Sequence, residues 1–300
     1  MKKLVLLFSA CTLFFITDQL NSIQIKKLNS NNENLISNTN SLLQSIEFVN
    51  VPAGPYTSGK DNDTLSIGYS FQIMKNCVTN SQFVDYLNAV YTEEDMNISK
   101  TIVYCRYNGD KYWKADKYQL IFLSRDGCKM KYNNNSFTVE RGFENFPVVQ
   151  VSWFGANAFA EYYGFRLPRK DEFEKVARGL TGWNYPWGDK IEGSHANYWN
   201  SGDPFDNAPT PVGYYNGSSH NGFQTKDSPS PYGAYDMAGN VQQWIDNYYT
   251  KTKRTERLYR IVRGGSFQGI KSEIQSWGYN DLTPWQGYPY TGFRCARSIN

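Results

Sequence analysis

Imidazole is nearly absent from this chain: His195 and His220 are its two histidines in 300 residues. A facial-triad iron site takes two histidines and a carboxylate in convergent geometry, and both histidines stand in polar, turn-like stretches, which disfavours iron chemistry. Neither sign of charge dominates, since 31 Lys and Arg against 28 Asp and Glu give a formal charge of +3. No field results that would single out nucleic acid or an anionic lipid surface. Phosphate-binding Gly spacing is missing as well. Gly264-Gly265 follows a strand candidate, Tyr259 to Arg263, but nothing behind it reads as a helix whose N-terminus could hold phosphate, so nucleotide binding is disfavoured. Around Ser266 there is no Gly-x-Ser-x-Gly elbow and no His in range, which leaves it as a serine closing a turn rather than a hydrolytic nucleophile.

Long apolar runs are also lacking. The longest, Leu4 to Ile16, is interrupted by Ser9, Cys11 and Thr12 and falls short of the about 20 residues that span a bilayer. Behind Lys2 and Lys3 it has the pattern of a secretory signal peptide, assigned to 1–20. The expectation is therefore export, to a periplasmic or extracellular location. Cys11 after Ser9-Ala10 opens the alternative of a bacterial lipoprotein anchored at the outer surface. Residues 21–45 are rich in Asn, Ser, Gln and Lys with too few apolar residues to bury a face, which predicts a disordered polar tether. The domain is assigned to 46–300, with no transmembrane span in the mature chain.

Five cysteines occur. Loss of Cys11 with the signal leaves Cys77, Cys105, Cys128 and Cys295, which allow three pairings that sequence cannot choose among. Cys105 with Cys128 is preferred, because they flank what looks like one strand-turn-strand insert, Tyr104 to Lys129; free thiols are the other reading.

What is plentiful is aromatic and turn-forming: 23 Tyr, 18 Phe and 8 Trp stand with 24 Gly and 12 Pro. That mixture suits an α+β fold made of short strands and turns with few long helices. Ile46 to Val49 is a strand candidate, followed by the turn signal Pro52-Ala53-Gly54-Pro55. Thr79 with Gln82 forms a capping box ahead of the stripe Phe83, Val84, Leu87 and Val90. Ser152 is a candidate N-cap for a second helix through Phe159 to Gly164. Asp171 to Arg178 predicts a third, with Phe173, Val176 and Ala177 inward and Gly179 ending it. Beyond Gly182 the chain reads as turns and short strands.

Several segments, in order, resemble one family. They are Val78-Thr79-Asn80-Ser81-Gln82-Phe83, Pro147-Val148-Val149-Gln150-Val151-Ser152-Trp153, Arg166-Leu167-Pro168, Ala177-Arg178-Gly179 and Tyr185-Pro186-Trp187-Gly188-Asp189. Later come Tyr232-Gly233-Ala234-Tyr235-Asp236-Met237-Ala238-Gly239-Asn240-Val241, Arg263-Gly264-Gly265-Ser266-Phe267 and Gly292-Phe293-Arg294. Together they resemble the formylglycine-generating-enzyme, or sulfatase-modifying-factor, family. The resemblance implies a single compact loop-rich domain, a variant of the C-type-lectin-like fold. Its founding members oxidise a sulfatase cysteine with O2 and a Cu(I) ion held between two thiolates. Soft sulfur ligands suit Cu(I), and the two thiolate positions fall here on Gly269 and Ile274, so copper is not expected. Cys295 matches a position outside that pair and is expected to be a free, buried thiol.

The resemblance further implies two Ca2+ sites. One maps onto Asn197, the Tyr198 carbonyl, Asp203 and the Phe205 carbonyl. The other maps onto Asp236, the Gly239 carbonyl, the Val241 carbonyl and Gln243, where the family usually supplies a Glu, so the neutral amide should weaken it. Gln242 replaces a Trp that lines the family's cleft. Ser266, Gln242 and Trp277 are the cleft candidates, none of them assigned as catalytic. The tail aromatics Trp277, Tyr279, Trp285, Tyr288 and Tyr290 either pack the core or form a stacking platform for a sugar or peptide. The functional expectation is a Ca-stabilised binding or accessory module for a protein, peptide or glycan ligand. The alternatives are an oxidoreductase with a non-standard active centre, and a surface lipoprotein of a secretion or gliding apparatus.

Overall fold

The computed structural model describes residues 46–91, 93–97, 99–205, 207–249 and 259–299. The expected signal peptide, the tether and Cys11 lie outside the described residues. Strands are short and helices few because turn-formers interrupt every apolar run. From 47 onward the chain forms one compact unit.

Two sheets position everything else. In the first, Phe71–Met74 runs between Phe48–Val51 and Ala296–Ser298, antiparallel to both, so the beginning and end of the domain close on one central strand. In the second, the order is Tyr279–Leu282, Tyr259–Arg263, Gln242–Tyr249, Thr291–Gly292; only the last pair is parallel. Separate hairpins such as Gly54–Ser58 with Asp63–Ile67 and Ile102–Tyr107 with Asp116–Phe122 decorate this frame.

Among the described residues there are three α-helices, and the first two begin where their caps dictate. Asn80–Val90 starts after Thr79, whose Oγ1 accepts from Gln82 N while Gln82 Oε1 accepts from Thr79 N, and it buries Phe83, Val84 and Leu87. Tyr86 joins that face and Val90 stays half-buried. Trp153–Tyr162 starts after Ser152, whose Oγ accepts from Gly155 N. Lys170–Arg178 ends at Gly179 with φ +55°, a backbone region that favours glycine.

This third helix departs from expectation in its buried set. Phe173, Val176 and Ala177 point inward as predicted, but Glu172, Glu174, Lys175 and Arg178 are buried too. Buried charges persist only when paired and hydrogen-bonded. Here Arg166 forks onto both Glu172 oxygens at 2.6 Å, Glu174 meets Arg263 at 3.2 Å and Arg178 at 3.5 Å, and Lys175 donates to the Pro52 and Gly54 carbonyls.

The expected Cys105–Cys128 bridge is not made, because the four described cysteines are free thiols. Cys105 lies within the Ile102–Tyr107 strand opposite Tyr118, whereas Cys128 falls past the end of that hairpin, with its Sγ 4.0 Å from the Met130 carbonyl. Cys295 is fully buried and free, in line with expectation. Among the described residues no helix is long and apolar enough to cross a membrane.

Candidate functional site

The strand Tyr259–Arg263 delivers the chain to Gly264 and Gly265, at φ +88° and +64°. A β-carbon on Gly265 would lie 2.5 Å from Ile274 Cγ2, so only glycine lets the turn close onto the segment that returns beneath it. Ser266 follows, its Oγ accepting from Gln268 N and its carbonyl from Gly269 N. The turn continues to Glu273, whose carboxylate accepts from Ile270 N at 3.0 Å.

This turn floors a cleft of about 570 Å³. Gln242, from the neighbouring strand, forms one wall, its Nε2 donating to Thr291 Oγ1 at 2.9 Å. Tyr279, Asn280 and Tyr290 complete it, with Val262 behind. Two of the three sequence-derived cleft residues, Ser266 and Gln242, therefore line it. Trp277 is not among its lining residues and lies instead under Arg178, whose guanidinium is 5.0 Å from the indole. Of the tail aromatics, Tyr279 and Tyr290 reach the cleft, while Trp285 packs against Trp113 and Tyr288 against Trp244.

The two expected thiolate positions come together in this floor. A β-carbon placed on Gly269 would lie 3.4 Å from Ile274 Cγ2 and 3.4 Å from Glu273 Oε2. Ile274 is fully buried, packed with Tyr185, Ala196, Tyr198 and Ala238. A carboxylate and an aliphatic side chain thus occupy the space that two sulfurs would need, and Cu(I) does not fit this donor set. Glu273 was missed in the sequence reading, although it sits between the two counted positions.

The two oxygen sets expected to bind calcium differ. Asn197 and Asp203 are both buried. Asp203 accepts from Phe205 N through Oδ1, and from Ser201 Oγ and the Tyr215 hydroxyl through Oδ2. The Asn197 amide nitrogen is on the Ala208 carbonyl, so its oxygen is the group left to coordinate. Burial, reinforced by Asp203, pushes the Tyr215 phenol far up, which keeps it a neutral donor to that carboxylate. One carboxylate, one amide oxygen and carbonyls are hard donors of the kind calcium takes, so the donor chemistry of this set suits that ion.

The second set is closed on itself. Gln243 Oε1 accepts from Arg294 Nε at 2.6 Å, and Gln243 Nε2 donates to the Asp236 and Val241 carbonyls. The Arg294 guanidinium also bonds the Met74, Lys75, Tyr235 and Asp236 carbonyls. Asp236 itself accepts from Gly213 N at 2.7 Å, and burial raises its carboxyl. The one side-chain oxygen that Gln243 could offer a metal is thus taken by Arg294, and without a second carboxylate this set suits calcium less well than the first.

Neither histidine lines the cleft. His195 stacks on Trp187 with its Nδ1 accepting from Glu192 N, and His220 stacks on Tyr214.

Comparison with known proteins agrees with this frame. The sulfatase-modifying factor enzyme 1-like domain matches residues 34–299. A protein named serine/threonine-protein kinase pkn1, from Chlamydia pneumoniae, is 29% identical over 275 residues, covering 85% of this chain and 38% of that protein. One named inactive C-alpha-formylglycine-generating enzyme 2, from Bos taurus, is 37% identical over 159 residues, half of each chain. The chain therefore spans between about a third and a half of these relatives. Among solved structures, PvdO from Pseudomonas aeruginosa superposes with a TM-score of 0.57 at 19% identity, over 84% of this chain and 94% of that one.

Proposed function

Because the chain belongs to the sulfatase-modifying factor enzyme 1-like domain family, we propose that it keeps the family's cleft as a binding site and has given up copper-dependent cysteine oxidation. The observation that carries this reading is the pair of positions 269 and 274. They face each other across the floor, yet hold Gly and a buried Ile with Glu273 between them. Redox chemistry through Cu(I) needs sulfur there; a binding module needs only the walls. A relative named as inactive supports the idea that the fold persists without the reaction. The protein is exported, on the strength of its first 20 residues, and a calcium ion on Asn197, Asp203 and the Tyr198 and Phe205 carbonyls stabilises it.

Metal analysis of the purified protein together with O2 uptake on a cysteine-containing sulfatase peptide tests this. About one calcium, no copper and no uptake above the blank is the expected result. Copper-dependent uptake would overturn it. Chelation should lower Tm by several degrees if the first oxygen set holds the ion, since a ligand bound to the folded state alone stabilises by mass action.

A further inference from the structure

The cleft's lining restricts what can enter. Among the described residues no Lys or Arg lines it, and Glu273 is the one charged side chain, so anionic ligands lack a partner there. Val262, 1% exposed, is the one aliphatic side chain among its described lining residues, so the apolar surface it offers is aromatic. What remains is polar groups of both kinds. Gln242 has its amide N–H on Thr291 and leaves an oxygen to accept; Asn280 has its oxygen on Asp281 N and leaves N–H groups to donate. Ser266 accepts from Gln268 N and keeps its O–H, and Glu273 retains acceptor lone pairs beyond its bond to Ile270 N. A hydroxyl both donates and accepts, so adjacent hydroxyls on one ring match such a wall. Tyr279, half-exposed, and Tyr290 add flat faces with polar edges. The volume of about 570 Å³ lies within the usual range for small-molecule sites.

A second hollow of about 480 Å³ adjoins the first across the 270–272 turn, and Ser272 lines both. Its wall carries Trp199, 53% exposed, Ile270, 48% exposed, and Lys271, and Trp199 N is bonded to the Gly269 carbonyl, which ties the backbone at 199 to the cleft floor. An exposed indole in a hollow that shares Ser272 with a hydroxyl-matched cleft is a second flat surface next to the first.

We propose that the cleft takes one ring of a neutral oligosaccharide and that the following rings cross the 270–272 turn onto Trp199. This rests on the reading that the cleft is the ligand site. Titration of the full chain with neutral hexose mono-, di- and tetrasaccharides, followed by calorimetry, should show affinity rising with chain length. Trp199→Ala should weaken the tetrasaccharide roughly three- to tenfold and leave the monosaccharide unchanged. Tyr290→Ala should weaken both. Equal loss at every chain length, or none at any, overturns the two-hollow arrangement. A tetralysine peptide serves as the rival probe. If it binds in a manner abolished by Glu273→Gln while no saccharide binds, the sugar inference is overturned and the cleft reading stands; if neither probe binds, both fall.

Discussion

Glu273 stands beside a position that the family uses for chemistry and Gln243 occupies one that it uses for metal, and they are held in opposite ways. The cleft floor from Ser266 to Glu273 bonds mostly within its own turn, through Gln268 N, Gly269 N and Ile270 N, and Glu273 is exposed. Gln243 and Arg294 are fully buried and join segments distant in sequence, because the guanidinium gathers carbonyls from 74, 75, 235 and 236. A change on the floor alters chemistry with little structural consequence. A change in the wall behind it must be answered by every partner.

The largest test of that contrast is Arg294→Met. It removes the guanidinium from Gln243 Oε1 and four carbonyls in a sealed interior, of which Lys75 O keeps Tyr235 N and Asp236 O keeps Gln243 Nε2, and should lower stability by about 3–5 kcal/mol. Glu273→Gln, on the floor, should stay within about 0.5 kcal/mol. Urea unfolding midpoints with equal m-values measure both, and similar losses from the two variants would erase the distinction.

Gln243→Glu comes next. The new carboxylate gains an ion pair with Arg294 but sets its second oxygen, in place of Gln243 Nε2, against the Asp236 and Val241 carbonyls that now receive that N–H group. A loss of about 1–3 kcal/mol is expected in chelator. Millimolar calcium should restore part of it, and should raise the variant's Tm more than that of the natural chain. An equal calcium response in both would mean that the amide is not what closes this oxygen set.

Gly269→Cys with Ile274→Cys sharpens the comparison from the other side. Replacing the buried Ile274 costs about 1–3 kcal/mol, while a β-carbon at position 269 meets the Ser266 carbonyl oxygen at 3.3 Å, a tight but tolerable approach, and the movable end of Glu273 at 3.4 Å. The double variant should fold and acquire Cu(I) affinity in competition with a chromogenic chelator, and neither single variant should match it. Failure of a folded double variant to bind Cu(I) would show that the floor has lost the geometry as well as the sulfur.

Much of the frame was legible because its signals are local. Thr79 and Gln82 stand three residues apart, Ser152 precedes its helix, and Tyr259–Arg263 is the strand that its β-branched and aromatic content announced. The buried charges were not legible. Glu174 and Lys175 look like a solvated helix face until Arg263 and the Pro52 and Gly54 carbonyls arrive from elsewhere in the chain. The site divided in the same way. Counting from Ser266 located positions 269 and 274, but only packing shows that Trp277 turns under Arg178 and that Gln243 is bonded to Arg294. Side-chain identity reveals what chemistry is absent; long-range partners decide what takes its place.

The smallest effect separates the native thiols from the cleft. Burial pushes Cys77 and Cys128 up to about 11 and Cys105 up to about 12, and pushes Cys295 higher still. A raised thiol pKa shrinks the reactive thiolate, to about one part in a thousand at pH 8 for the lowest of these. Brief iodoacetamide treatment of the folded chain at pH 8 should therefore leave the peptides containing all four unlabelled by mass spectrometry, and unfolding should make all four react. Gly269→Cys, placed in the cleft floor, should label in the folded state. Rapid native labelling of Cys77 or Cys295 would mean that the wall behind the cleft opens on its own, and would blur the boundary between the reactive surface and the sealed interior.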